Sequence, residues 1–269
     1  MADYALSLSL IALAAGLLGL GWNRIAGRPE SRFRAVGRVL LVVVVSILLV
    51  GVATYHLSKS RSFQFAGELV QRVETNEKVV ALTFDDGPTP GYTEEVLQTL
   101  AEHGARATFY LTGRECEENP ELLDVVVASG NELGNHTYSH RRLYFVPEKT
   151  VAAEVEQTDA IFRAAGYEAP TTFRMPGCKR LLTTPLYLDR TGRTTVVWDL
   201  EPDSIAGIAD NADAIVEYVG DGVRPGSIVL MHVMYEGRQP TRDALPRILD
   251  RLSAQGYRFV TVSELLAMQ

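Results

Sequence analysis

Val79-Val80-Ala81-Leu82-Thr83-Phe84-Asp85-Asp86-Gly87-Pro88 runs from an unbroken apolar stretch into two adjacent acids and a Gly-Pro pair. An apolar run of this length, closed by turn residues, reads as a buried strand that delivers two carboxylates at its C-terminal end. Side chains alternate along a strand, so Asp85 and Asp86 are expected to face different surroundings and do different work. Burying both is costly unless a metal ion, an arginine or a substrate answers them. Taken alone, the same residues also read as a solvated Asp-Asp-Gly turn. The rest of the chain decides between the two.

From Lys78 onward, strand-like and helical stretches alternate. Strands are expected at 78–84, 107–111, 132–134, 171–174, 194–198, 227–231 and 258–262, and helices at 91–103, 119–129, 149–165, 209–219 and 241–255. Gly104, Gly130, Gly166 and Gly256 close several of these helices. Such alternation predicts a largely parallel sheet with helices outside, as a closed barrel or an open doubly wound sheet. No G-x-G-x-x-G or Walker-type loop follows the first strand, which argues against a nucleotide. A net charge of −7 argues against a nucleic-acid partner. The two cysteines, Cys116 and Cys178, make neither a disulfide framework nor a zinc-cysteine site, and either form one bridge or stay free.

The first 57 residues differ in character. Segments 4–22 and 39–56 are almost free of charge, each close to the ~20 apolar residues that cross a bilayer as a helix. The first lacks the basic leading region and cleavage site of a signal peptide. Between them lie Arg24, Arg28, Arg32, Arg34 and Arg38 against one acid, Glu30. The positive-inside rule then predicts a multi-pass cell-membrane protein with a cytoplasmic loop and everything after residue 57 outside. The expected organisation is a two-span anchor over 1–57, a stalk and lead-in strand over 58–77, and a catalytic domain over 78–269.

In either α/β architecture, chemistry collects beyond the C-terminal ends of the strands. Asp85 and Asp86 stand after the first strand, and Asn135-His136-Thr137-Tyr138-Ser139-His140 after the third. Later strands lead into Arg174-Met175-Pro176-Gly177, Trp198-Asp199-Leu200-Glu201-Pro202-Asp203 and Leu230-Met231-His232. The i, i+4 spacing of His136 and His140 would place both rings on one face of a helical turn. With Asp86 as a third ligand, two nitrogens and one oxygen leave a position open for water, the pattern of a catalytic metal site. Such a donor set suits Zn²⁺, with other divalent transition metals as alternatives.

Together, Thr83-Phe84-Asp85-Asp86-Gly87 and His136-Thr137-Tyr138-Ser139-His140 resemble the first two motifs of the polysaccharide deacetylase family, the NodB-like homology domain of carbohydrate esterase family 4. The resemblance runs from about Lys78 to the C-terminus. It implies a distorted (β/α) barrel and metal-dependent removal of N-acetyl groups from an amino-sugar polysaccharide, such as peptidoglycan or a chitin-like glycan. Carried over residue by residue, Asp86, His136 and His140 would hold the metal, and Asp85 would be the general base. Arg174 would orient and charge-pair with that base. His232 would be the general acid, and Leu230 would line the acetyl pocket, with Trp198 a candidate beside it. Amide hydrolysis needs an activated water, a stabilised oxyanion and a proton for the departing amine, and this set supplies each.

Two departures from the family pattern stand out. The third motif usually continues Arg-Pro-Pro-Tyr-Gly, whereas here Gly177 replaces the tyrosine whose main-chain N–H contributes to the oxyanion hole. The fourth motif, Glu201-Pro202-Asp203-Ser204, is one residue short and lacks its second tryptophan. Glu201 is the first choice as partner of His232 and Asp203 the second. A glycan-binding relative with weakened catalysis is the main alternative. A two-carboxylate glycosidase is the other, and it leaves His136, His140 and Arg174 without a task.

Overall fold

The structure, a computed structural model, describes residues 32–269. It divides into two compact units between Leu57 and Ser58. In the first, helix α1 (Arg32–Ser58) carries a segment, Val36–Ser58, long and apolar enough to cross a membrane. At about 1.5 Å per residue its 23 residues extend about 35 Å, against a hydrocarbon core of about 30 Å. Arg32, Arg34 and Arg38 lie in the first turns of this helix rather than in a loop. Segment 4–22, Arg24 and Arg28 lie outside the described residues, and among the described residues there is one candidate span, the second of the two expected.

The second unit, Ser58–Gln269, is built on parallel strands. Strand β1 (Leu69–Val70) pairs with β5 (Thr195–Val196). Strand β2 (Val79–Asp85) lies between β3 (Thr108–Leu111) and β6 (Ser227–Met231), β4 (Glu132–Asn135) follows β3, and β7 (Arg258–Phe259) joins the start of β2. Single-residue bridges continue the pairing from Asn135 through Phe173 to Thr195, and from Leu200 to Val229 of β6. The pairings therefore run round a ring and return to the strand they started from. Segment 171–174, expected as a strand, contributes only the Phe173 bridges.

Helices cover the ring: α2 (Tyr92–Glu102), α3 (Gly113–Glu118), α4 (Pro120–Ala128), α5 (Glu148–Ala164), α6 (Thr183–Arg190), α7 (Ala212–Gly222), α8 (Gln239–Ala254) and α9 (Val262–Leu266). The short helices α3, α6 and α9 fall in stretches without clear helical periodicity. In α9, Thr261 and Glu264 form a capping box, which ends β7 earlier than the apolar run suggests.

Period-two alternation sorts β2, all of whose residues are buried, as suits a parallel strand covered on both faces. Val80, Leu82 and Phe84 pack outward with Leu100, Phe109 and Ile248. Val79 and Ala81 face inward with Tyr110, Trp198, Ile228 and Leu230. Thr83 and Asp85 continue this inward row. Thr83 donates to the Val229 carbonyl at 2.8 Å. The Tyr110 ring lies across the same interior, and a Cβ added at Gly134 on β4 would run into it.

Candidate active site

Where β2 ends, the chain turns sharply. Asp86 and Gly87 have φ of 75° and 74°, in the left-handed region. This reversal sends Asp85 and Asp86 into different company. Asp85, on the inner row, accepts a 2.7 Å hydrogen bond from Arg174 Nη1. Arg174 is fully buried, also donates to Thr83 Oγ1 at 2.7 Å, and stacks 4.0 Å from the Tyr110 ring centroid. Burial alone would raise the Asp85 carboxyl, but the charges of Arg174, His136 and His232 prevail and hold it below its ordinary value.

Asp86 joins His136 and His140. One ligand atom from each lies within 4.8 Å of the others. His140 Nε2 is 3.3 Å and His136 Nε2 3.8 Å from Asp86 Oδ1. That oxygen is buried and has no hydrogen-bond partner, which a metal ion would answer. The His136 ring presents Nδ1 to the Arg174 carbonyl at 2.9 Å, which turns Nε2 toward the cluster. Burial lowers the His136 pKa despite Asp85 and Asp86, favouring the neutral ring that ligates metals. Donor set, tautomer and orphaned oxygen all fit a divalent transition metal.

The expected helical turn between the two histidines is absent. Residues 136–140 form a bent loop with positive φ at Thr137 (69°) and His140 (55°), and the rings meet at a 5.1 Å centroid distance. Side chains from elsewhere hold the bend. Asn135 Oδ1 accepts from Thr137 N–H, and Glu154 on α5 accepts from Ser139 N–H and hydroxyl at 2.8 and 2.7 Å. No local sequence signal marks Glu154 for this task.

The third side of the site is His232, just beyond β6. Its Nδ1–H points to Asp203 Oδ1 at 3.3 Å, and its backbone N–H donates to Asp203 Oδ2 at 2.5 Å. Burial pulls this imidazole down. The hydrogen bond and charge of Asp203, reinforced by Asp85 and Asp86, push it up to about 9. Glu201, the first-choice partner, accepts instead from Trp198 Nε1 at 2.7 Å. The short segment Pro202–Ser204 is a 3-10 turn, and it carries Asp203 rather than Glu201 to His232. Trp198 and Leu230 are buried in one cluster with Cys178. Gly177 is exposed, with φ of 62°, in the turn after Arg174. Both cysteines are free and buried.

A candidate metal site flanked by an arginine-held carboxylate and an aspartate-held histidine is what this geometry brings together, a set of groups suited to hydrolysis. The polysaccharide deacetylase profile matches residues 72–196. The peptidoglycan-N-acetylglucosamine deacetylase of Bacillus cereus is 38% identical over 201 residues, covering 74% of this chain and 93% of that one. The peptidoglycan-N-acetylmuramic acid deacetylase PdaC of Bacillus subtilis is 34% identical over 198 residues, 72% of this chain and 40% of that one. Among solved structures, the Bc1960 peptidoglycan N-acetylglucosamine deacetylase has a TM-score of 0.69 at 30% identity, over 74% of this chain and 92% of that one. The fold is shared with BA3943, a CE4 family pseudoenzyme from Bacillus anthracis, at a TM-score of 0.66 and 27% identity, over 73% and 68% of the two chains. The chain belongs to the polysaccharide deacetylase family.

Proposed function

We infer that this protein is a hydrolase that removes N-acetyl groups from amino-sugar residues of a cell-surface polysaccharide, using a metal ion held by Asp86, His136 and His140. The observation that carries this reading is the convergence of that triad with the Asp85–Arg174 and His232–Asp203 pairs. Zn²⁺ suits two imidazoles and a carboxylate with an open position. When bound, the ion supplies Lewis acidity toward the acetyl carbonyl and toward water. Asp85, kept anionic by Arg174, takes the proton of the attacking water. His232, kept protonated by Asp203, gives a proton to the departing amine nitrogen. Gly177 N–H is the backbone donor we assign to the oxyanion, because Cys178 N–H is committed to the Met175 carbonyl. Leu230 and Trp198 form the acetyl-pocket wall, and Glu201 fixes the Trp198 indole.

The ring of parallel pairings supports reading residues 78–269 as the distorted barrel of the family, led in by 58–77. We assign α1 to a membrane anchor and residues 58–269 to the outside of the cell, where such a glycan lies. Acetate released from peptidoglycan and chitin-like glycans, with and without a chelator, tests the activity. Chelator-sensitive release is expected, and no release from any glycan sinks it. The shortened fourth motif and Gly177 favour one second reading, a glycan-binding protein without turnover. Glycan binding with no release of acetate would support that.

A further inference from the structure

Beside the metal-ligand cluster lies a cavity of about 330 Å³, lined by Asp86, His140, Ser139, Glu115, Tyr235 and Arg114. Most of its polar groups are already engaged. Glu115 accepts from Gly87 N–H at 2.9 Å, from the Thr112 hydroxyl at 2.7 Å and from the Tyr235 hydroxyl at 2.8 Å. The Ser139 hydroxyl is given to Glu154, and Asp86 and His140 belong to the ligand cluster.

The Arg114 side chain is engaged only by the Tyr138 side chain, through a hydrogen bond and the ring, and by no carboxylate. It is exposed, and its guanidinium lies 5.8 Å from the Tyr138 ring centroid. Among the described residues, no ion pair joins it to a carboxylate. Its position is fixed from behind. Arg114 N–H donates to the Tyr138 carbonyl at 2.8 Å, and the Tyr138 hydroxyl donates to Glu117 at 2.6 Å, so the ring that backs the cation is itself tied down. A guanidinium is a planar fork of donors matched to a carboxylate. Here it stands on the wall of a cavity that begins at two of the ligand side chains.

We propose that Arg114 reads a carboxylate carried by the substrate beside the scissile acetamide. This rests on the deacetylase reading. With the acetamide at the ion, the substituent on the neighbouring ring carbon is the group within reach of the adjoining cavity. In N-acetylglucosamine that substituent is a neutral hydroxyl. In N-acetylmuramic acid it is a lactyl ether ending in a carboxylate. Arg114 therefore selects N-acetylmuramic acid with its lactyl carboxylate free.

The test uses the full chain and four glycans: peptide-free peptidoglycan strands, the same strands with their carboxyls reduced to alcohols, peptide-bearing strands whose lactyl carboxyl is an amide, and a neutral chito-oligosaccharide. Acetate release and mass spectrometry of the product sugars are read. The wild-type kcat/KM should be at least about tenfold higher on free-carboxylate strands than on reduced ones, through KM. R114Q should erase that ratio while leaving the chito-oligosaccharide rate within about twofold, R114K should restore part of it, and added salt should shrink it. An equal loss on all glycans in R114Q, or a wild type blind to carboxyl reduction, overturns the proposal. Preference for peptide-bearing strands overturns the lactyl assignment in favour of peptide carboxylates. Equilibrium binding of free and reduced strands to D85N and D85N/R114Q decides Arg114 separately. Absence of acetate from every glycan would then count against the deacetylase reading alone.

Discussion

Asp85 and Asp86 are adjacent in sequence and both face His136 Nε2, at 3.6 and 3.8 Å, yet only Asp85 is held by Arg174 and only Asp86 meets His140. Each makes its own prediction. Removing the Arg174 charge with R174M leaves Asp85 its burial without its cation, so its pKa rises. The acid limb of the activity profile should move to higher pH, and an unmoved limb would remove Arg174 as the partner of the base. On the other side, His232 is protonated below about 9, so activity should fall as pH rises through that value. D203N removes the Asp203 hydrogen bond and charge while Asp85 and Asp86 remain, so the alkaline limb should move to lower pH. E201Q should leave that limb in place, because Glu201 bonds Trp198 instead. A shift in E201Q with none in D203N would reverse the assignment. D86A and H136A should lose the bound metal on dialysis, measured by elemental analysis, and wild-type metal content in either would refute the ligand set. Strand-end residues such as Asp85, Asp86, Arg174 and His232 were legible in the sequence because their neighbours fix their register. The Glu201 and Asp203 roles were not, because a 3-10 turn has no periodicity that tells which of two nearby acids it will aim.

Among elements, the loop after β4 and the lead-in segment carry most of what periodicity could not show. The i, i+4 histidines meet through a bent loop held by Asn135 and Glu154, and Glu154 is supplied from α5, distant in sequence. The long strands and helices were foreseeable, since burial imposes a repeat on them. The two-residue strands and the helices α3, α6 and α9 are too short to express one. The lead-in segment has its own buried cation. Arg180 is 2% exposed and donates to Gln64 Oε1 and to the carbonyls of Ser60, Phe63 and Cys178, with no carboxylate among these partners. Its N–H also donates to the Ser58 carbonyl at 2.9 Å. R180M leaves those carbonyls without their donor, which should cost about 2–3 kcal/mol of stability. The readout is a lower urea midpoint with metal content retained in the folded fraction. An unchanged midpoint would show that the lead-in is held by other contacts.

For the molecule as a whole, the topology assigned to it makes the C-terminus accessible. A tag after Gln269 should be cleaved by protease added to intact cells, and protection there would place the domain on the other side of the membrane. α1 was legible because a long apolar run needs no partner to be recognised, whereas the closure of the strand ring depends on bridges at Phe173 and Leu200 that no local pattern marks. The missing side chain at Gly134 bears on that ring in another way. Gly134 gives the Tyr110 ring its room, and Tyr110 supports the guanidinium that holds Asp85. Gly134 stands outside the metal-ligand cluster, yet even an alanine there would push against Tyr110, on which Arg174 stacks. Among natural variants of this chain, a single added methyl group at position 134 would silence the enzyme while every motif that identifies it stayed intact.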